Sequence, residues 1–317
     1  AFAGCSSLEN IDIPDSVREI GEGAFMDCSS LVKIAIPASI KNVGDNTFSG
    51  CSMLEEATIP EGVMKIGSYA FADCQYLQNV ILPKSVSYIG GGAFANCTGI
   101  ENFVIPDGVN AIKCSSRRNK RFDVTDHDGV FSGCTYLKSI VIPESVTEIE
   151  DYAFKNCHSL ESITIPKGVR SIGMGAFDDT PLKSITIPES VMMIGEKTFY
   201  HCTSLKNITI PESVTEIGYK AFENCSSLES VMLSNGITKI GEEAFLLCTS
   251  LKNITIPEGV TEIGYAAFYH CDDLRYIEIP KTVTTIAAEA FAETKWMNNY
   301  LTGGSDDFLI VGDGILL

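Results

Sequence analysis

The chain has 317 residues, including 12 cysteines, 12 prolines and 27 glycines, and its acidic residues exceed its basic residues by 41 − 23 = 18. An apolar content of 45% is enough to build a core, which excludes a wholly disordered chain. No apolar run approaches the ~20 residues of a membrane span. The net charge of −18 argues against a nucleic-acid-binding protein, because contact with phosphates needs a basic face.

A period of 23 residues runs along the chain. Phenylalanine recurs at this spacing from Phe2 to Phe94, resumes at Phe131 after a gap of 37 residues, and continues to Phe291 with one gap of 22. In eleven units a cysteine follows the phenylalanine by three positions. A fixed period of this length predicts stacked coils that share one core, not two globular domains.

Each unit predicts the same local elements. Residues 207–211, Asn-Ile-Thr-Ile-Pro, alternate polar and apolar side chains, which is typical of a short strand that ends at the proline. Val214, Ile217 and Gly218 predict a second bend or a very short strand. Residues 221–228 place apolar side chains at spacings of three and four over too few residues for an independent helix, so a single helical or 3-10 turn is expected.

The repeating unit resembles a known family. Cys-x-x-Leu-x-x-Ile-x-Ile-Pro-x-x-Val-x-x-Ile-Gly-x-x-Ala-Phe is similar to the BspA-type (Treponema-type) leucine-rich repeat, with clear copies from Cys202 to Phe222 and from Cys248 to Phe268. The resemblance covers about residues 1 to 294. It implies an α/β leucine-rich-repeat solenoid: a parallel β-sheet of stacked 23-residue coils with short helical or 3-10 turns.

The same resemblance implies a function and a location. Members of the family are bacterial cell-surface and secreted proteins associated with adhesion to host or matrix proteins and with interbacterial contact. A related expansion in parasitic protists leaves the source open. No leader is visible at Ala1, where the sequence opens within the pattern, so we expect any leader to lie outside this fragment.

The repeated cysteines predict a ladder of free thiols. Neighbouring coils lie ~4.8 Å apart and their side chains point the same way, whereas a disulfide needs Cβ atoms ~3.8 Å apart with a twisted dihedral angle. A metal site is not expected, because no Cys-x-x-Cys pair occurs. Thr180 and Thr294 take the cysteine position in two units. The predicted ladder comprises Cys5, Cys28, Cys51, Cys74, Cys97, Cys134, Cys157, Cys202, Cys225, Cys248 and Cys271.

The first candidate for partner binding is an insert at about residues 113–127. One interpretation is a loop that projects from the solenoid and contacts an anionic protein, glycan or lipid headgroup. The other is a tolerated surface loop whose charges stay solvated or pair with nearby glutamates. The insert's basic residues are Lys113, Arg117, Arg118, Lys120 and Arg121.

The second candidate lies on the outer face of the predicted sheet. The position between the two strand isoleucines is most often threonine, but Ile81, Val104 and Val141 interrupt this pattern in three adjacent units. They form an interaction patch if they are exposed. Alternatively, they only fill strand positions and are covered by the insert.

Catalytic chemistry has little support in the sequence. Of the four histidines, His158, His201 and His270 flank ladder cysteines in widely separated units, and nothing distinguishes one ladder cysteine from the others. A catalytic cysteine would need a lowered pKa in a cleft. We therefore expect no enzyme activity, no catalytic residues, no cofactor and no metal.

We expect about 12 full coils over residues 1–296. Residues 297–317 predict a hairpin that caps the solenoid or begins a further module. The predicted function is non-enzymatic protein recognition or adhesion by a monomer at a bacterial surface or after secretion. The partner would be a host matrix protein, a host receptor or another bacterial surface protein. The alternative is a structural spacer that carries an enzyme or anchor domain outside this fragment.

A glycan partner is a third hypothesis. It would require clustered exposed aromatic side chains. The candidate tyrosines for glycan contact lie at different positions around the coil. They are Tyr200, Tyr219, Tyr265, Tyr269 and Tyr276.

Overall fold

The computed structural model describes residues 1–119, 124–302, 310–311 and 315–316, with side chains at 1–115 and 128–299. The chain divides into two compact units, Ala1–Val169 and Arg170–Leu317. Each unit is a stack of coils of about 23 residues whose strands pair in parallel with those of the next coil. This confirms the predicted fold class.

In the first unit each regular coil contributes a three-residue main strand and a two-residue second strand. The main strands are β1 (Lys33–Ala35), β3 (Glu56–Thr58), β5 (Asn79–Ile81), β7 (Asn102–Val104) and β11 (Ser139–Val141). The second strands are β2 (Asn42–Val43), β4 (Lys65–Ile66), β6 (Tyr88–Ile89), β8 (Ala111–Ile112) and β12 (Glu148–Ile149). Parallel pairing joins β1, β3 and β5 in one sheet, β2, β4 and β6 in another, and β7 with β11 in a third. The insert forms β9 (Cys114–Asn119) and β10 (Val124–Gly129).

The second unit repeats this pattern in its last four coils. The main strands are β14 (Asn207–Thr209), β16 (Ser230–Met232), β18 (Asn253–Thr255) and β20 (Tyr276–Glu278). The second strands are β13 (Ser171–Ile172), β15 (Glu216–Ile217), β17 (Lys239–Ile240), β19 (Glu262–Ile263) and β21 (Thr285–Ile286). The main strands form one four-stranded parallel sheet in the order β14-β16-β18-β20, and the second strands of the same coils form another in the order β15-β17-β19-β21.

A column of phenylalanine rings forms the centre of each unit. In the second unit successive rings from Phe177 to Phe291 stack nearly parallel, with centroids 5.1 to 5.6 Å apart. Phe222 is fully buried, as is the leucine that follows it in the repeat, Leu228. A lone coil could not cover these side chains, so burial comes from stacking.

The corners that carry the phenylalanines are hydrogen-bonded turns. In the coil of Phe222, the Cys225 N–H donates to the Phe222 carbonyl at 3.1 Å, which is the tight i to i+3 geometry of a 3-10 turn. The residue before the cysteine takes a left-handed backbone conformation, with φ of 56° at Asn224 and 58° at His201. Glycine, Asn and Asp prevail at this position in the sequence because they adopt this conformation at least cost. His201 and His270 therefore occupy a backbone-defined corner.

The last described elements belong to the second unit. Thr294 accepts a hydrogen bond from the Met297 N–H at 3.1 Å and so caps α1 (Lys295–Thr302). Trp296 packs edge-on against Phe291 with ring centroids 5.2 Å apart. Farther on, β22 (Ile310–Val311) and β23 (Ile315–Leu316) pair antiparallel. The helix crosses the expected boundary at 296/297, and the role of this segment as a cap or as the start of a module stays a prediction.

Candidate recognition surface

Three large apolar side chains stand exposed on the outer face of the main strands of the first unit. Ile81 is 84% exposed, Val104 63% and Val141 58%. Val104 lies directly opposite Val141 in the register of β7 and β11, and Ile81 lies opposite Thr58 in that of β5 and β3. We call Ile81, Val104 and Val141 the apolar strip. Their exposure meets the condition that the patch interpretation requires.

The sheet is interrupted within this strip. The main strands β1, β3 and β5 form one sheet, and β7 and β11 form another. At most other junctions of the first unit the residue before the main strand donates to the preceding coil, as from Gln78 N to Glu55 O at 3.1 Å and from Lys138 N to Glu101 O at 2.7 Å, whereas Glu161 N donates to Ser159 O within its own coil. Among the described residues, no corresponding bond links Glu101 N to Gln78.

The interruption has a cause in the sequence. The buried position of the main strand is usually isoleucine or valine, but in β7 it is Phe103. Its ring is only 3% exposed and packs against Phe94 and Phe131, with centroids 5.0 and 4.8 Å away. A ring in the place of a branched aliphatic side chain demands more volume in a close-packed core. We attribute the opening between β5 and β7 to this ring, and Val80 next to the opening is correspondingly only half-buried.

Two hollows lie on either side of Ile81. The larger has a volume of about 780 Å³ and lies between β5 and β7. The smaller has a volume of about 290 Å³ and lies beside β3. We call the larger hollow the groove. Its lining includes Gln75, Tyr76, Asn79, Ile81, Asn102 and Tyr136.

The insert is a two-stranded antiparallel hairpin whose base is anchored to the coils. The Cys114 N–H donates to Glu150 Oε2 at 2.8 Å, and the Tyr69 hydroxyl donates to the Ser115 carbonyl at 2.9 Å. The hairpin passes so close to Gly91 that an added Cβ would lie 2.1 Å from the Cys114 carbonyl carbon. Most other coils carry a larger side chain at the place of Gly91, so its glycine makes room for the hairpin.

The structure describes only part of the predicted basic cluster. Lys113 forms a half-buried ion pair with Glu150, with Nζ 3.2 Å from Oε1, as the interpretation of paired charges expects. Arg117 and Arg118 lie on β9, where only their backbone positions are described, opposite Asp126 and Thr125. Lys120 and Arg121 lie outside the described residues. The contribution of these arginines to binding stays a prediction.

The cysteine ladder is built for packing. All twelve cysteines lie in the described residues and are free thiols. Ten are buried, and each donates its S–H to the phenylalanine carbonyl of the preceding coil, as from Cys225 to Phe199 at 3.1 Å. Cys5, in the first coil of this sequence, is exposed. Thr180 replaces the thiol with a hydroxyl that donates to the Phe177 carbonyl at 2.8 Å.

The thiols are poor nucleophiles. Burial raises the pKa of Cys51, Cys134 and Cys202 to about 12, from an ordinary value of 9.0. Burial together with nearby carboxylates raises the pKa of Cys114 to about 11. A reactive cysteine needs the opposite shift, because the thiolate is the nucleophile.

The described part of the chain contains neither a metal site nor a membrane-spanning helix. No three His, Cys, Asp or Glu side chains come together there in a way that could hold a metal ion. Across the same residues no helix has the length and hydropathy of a membrane span.

Sequence reasoning missed several residues that shape this surface. Tyr76 and Tyr136 both line the groove and are 52% and 60% exposed. They share one repeat position, three residues before the main strand begins. Serine is the commonest residue at this position in the other coils. Phe103 and Gly91 are likewise exceptions at their own positions. Comparing each repeat position across the coils would have identified all four.

Comparison with known families decides the identity of the repeat. A family model described as a BspA-type leucine-rich-repeat region, with 6 copies, matches residues 1–121, 127–191 and 170–298. The chain belongs to the BspA-type leucine-rich-repeat family. Leucine-rich-repeat proteins generally bind other proteins and are generally non-enzymatic, so the BspA-type coils are consistent with a protein-interaction module.

Solved structures of leucine-rich-repeat proteins resemble this chain. A leucine-rich-repeat protein from Bacteroides ovatus is 35% identical, with a TM-score of 0.77, over 96% of this chain and 84% of that one. A leucine-rich cell-surface protein from Faecalibacterium prausnitzii is 31% identical, with a TM-score of 0.56, over 87% and 80%. A protein from Eubacterium ventriosum shares the fold at 24% identity and a TM-score of 0.50, over 85% and 84%. No curated protein matches the chain.

Proposed function

We propose that this chain is a non-enzymatic recognition module that binds a protein partner at a bacterial cell surface or after secretion. The observation that carries the proposal is the apolar strip, whose side chains are 84%, 63% and 58% exposed. Neighbouring exposed apolar side chains on a protein surface mark interaction sites. The similarity to a protein described as a cell-surface protein supports the location.

The rigid coils suit this role. Parallel pairing of β7 with β11 holds Val104 and Val141 in a fixed register, and pairing of β5 with β3 holds Ile81, so little conformational freedom is lost when a partner binds. The partner would be a host matrix protein, a host receptor or another bacterial surface protein, bound by a monomer. The arginines of the hairpin would add an electrostatic contribution to association with an acidic partner.

A binding screen against immobilised host-matrix proteins tests the proposal. The key variant is the triple substitution Ile81→Thr, Val104→Thr and Val141→Thr, which installs the residue that the repeat prefers at this position. Each lost side chain removes apolar contact area, and together they should weaken binding by at least about tenfold. Met232→Thr is the matched control, because Met232 occupies the same repeat position in β16 and is 66% exposed.

The screen also separates the alternatives. A hairpin variant with Arg117→Ser and Arg118→Ser should show a smaller loss of affinity that shrinks further at high salt. Equal binding by the triple variant and by the Met232→Thr control would contradict the role of the strip. If neither the unsubstituted chain nor any variant binds an immobilised protein, the structural-spacer alternative is favoured.

A further inference from the structure

The groove between β5 and β7 has the composition of a binding site that shares only Ile81 with the apolar strip. It has a volume of about 780 Å³, and its lining is mostly neutral and polar. Carboxamides come from Gln75, Gln78, Asn79 and Asn102, and a hydroxyl comes from Thr98. Each carboxamide offers both donors and an acceptor, which suits a ligand rich in hydroxyl groups.

Two tyrosines flank this polar floor. Tyr76 and Tyr136 stand at the same repeat position two coils apart, and 52% and 60% of their side chains are exposed. The coil between them carries Gly99 at that position, so no side chain fills the space. Paired strands lie ~4.8 Å apart and the coils of β5 and β7 do not pair, so the two positions are at least about 10 Å apart. A sugar ring in contact with an aromatic ring on both faces needs roughly 7–8 Å, which this spacing admits.

The charges of the groove favour a neutral ligand. Glu101, whose carboxylate lines the groove, is paired with Lys138 at 2.9 Å. The repeat position of Gln78 carries a charged residue in the flanking coils, namely Glu55 and Glu101, yet here it is an amide. Among the residues with described side chains no lysine or arginine lines the hollow, so an anionic ligand would meet no countercharge from them.

We propose that the groove binds a neutral oligosaccharide, with Tyr76 and Tyr136 as stacking platforms and the carboxamides of Gln78, Asn79 and Asn102 as partners for its hydroxyl groups. The electron-rich ring faces attract the slightly positive C–H groups of a sugar. Ser139 Oγ donates to Asn102 Oδ1 at 2.6 Å, which orients that carboxamide and leaves its nitrogen as a donor. The wedge of Phe103 and the missing side chain at Gly99 together create the space.

The test is a direct binding measurement on the whole chain. Cellotetraose, maltotetraose, mannotetraose and chitotetraose are the neutral probes, tetragalacturonate is the acidic probe, and gelatin peptides are the protein probe. Saturation-transfer NMR detects binding, and calorimetry gives the dissociation constant. We expect at least one neutral tetrasaccharide to bind and to be preferred over tetragalacturonate and the peptides.

The decisive variant is Tyr76→Ser with Tyr136→Ser, which installs the commonest residue of the repeat position and leaves Ile81 in place. Loss of two stacking rings should raise the dissociation constant by about tenfold or more. Tyr276→Ser is the matched control, because Tyr276 is 57% exposed in the second unit and serine occurs at its repeat position. Asn79→Ser should give a smaller, roughly threefold loss.

The results separate this site from the apolar strip. The triple threonine variant keeps both tyrosines and should keep most saccharide binding. The double tyrosine variant keeps the strip and should keep protein binding. If its melting temperature falls, the single variants Tyr76→Ser and Tyr136→Ser replace it. Failure of every neutral probe to bind at millimolar concentration, preference for the acidic or peptide probe, or full binding by the tyrosine variants would overturn the proposal.

Discussion

The main strands of the two units differ in their continuity. In the second unit β14, β16, β18 and β20 form an unbroken parallel sheet with Ile208, Val231, Ile254 and Ile277 on its buried side. In the first unit the equivalent sheet ends at β5, resumes at β7, where Phe103 replaces the aliphatic residue, and ends again at β11. One larger side chain in the core thus coincides with the loss of pairing between neighbouring coils.

The phenylalanine column crosses the same point without a break. Its rings are 5.6 Å apart from Phe71 to Phe94 and 6.0 Å apart from Phe94 to Phe131, against 5.2 and 5.1 Å on either side of Phe222. Dispersion between rings weakens gradually with distance, whereas a backbone hydrogen bond requires about 2.9 Å and is lost quickly beyond it. Side-chain stacking therefore tolerates an irregular coil that strand pairing does not.

Removal of one ring from each region is the strongest test of this difference. Phe222→Ala should lower the free energy of unfolding by about 3–5 kcal/mol, because its closely spaced neighbours cannot collapse into the cavity. Phe94→Ala should cost less, about 3 kcal/mol, because the ring of Phe103 already lies 5.0 Å away and can shift into the space. Urea denaturation measures both, and an equal or larger loss for Phe94→Ala would contradict the comparison.

The anchoring of the hairpin is the next test. Gly91→Ala would place a Cβ against the backbone of Cys114, so we expect a loss of about 1–3 kcal/mol and faster hydrogen exchange at the Cys114 amide. Gly21→Ala is the control, because an added Cβ there meets nothing within 4 Å. If the two variants lose the same stability, the close approach of the hairpin is not what selects glycine at position 91.

Restoring the aliphatic residue gives the smallest change in stability and the most specific result. In Phe103→Ile the coil of β7 should approach β5 and pair with it, so exchange of the Glu101 amide should slow. The lost ring contacts and the gained hydrogen bonds oppose each other, so the free energy of unfolding should change by only about 1 kcal/mol. The Lys138 amide, already bonded to Glu101 O at 2.7 Å, provides the internal reference. Unchanged exchange at Glu101 would show that Phe103 does not cause the opening.

Much of this fold was predictable because the same residue pattern, with the same local preferences, recurs in each repeat. The alternation of polar and apolar residues around Ile208 predicted the strand, and the proline predicted where it ends. The spacing from Phe222 to Cys225 predicted the corner turn. The apolar strip was predictable as well, because Ile81 departs from the threonine of its repeat position. Its exposure was not, since the alternative of a covering insert could be judged only from the folded chain.

By itself the sequence determined the periodic elements, the shared core and the family, because a side chain repeated every 23 residues can be buried only against its own copies. Only the tertiary structure decided where that regularity fails. The opening at Phe103, the passage of the hairpin over Gly91 and the placement of Tyr76 and Tyr136 around one groove depend on contacts between different coils. Volume and close approach set such contacts, and no single repeat contains that information.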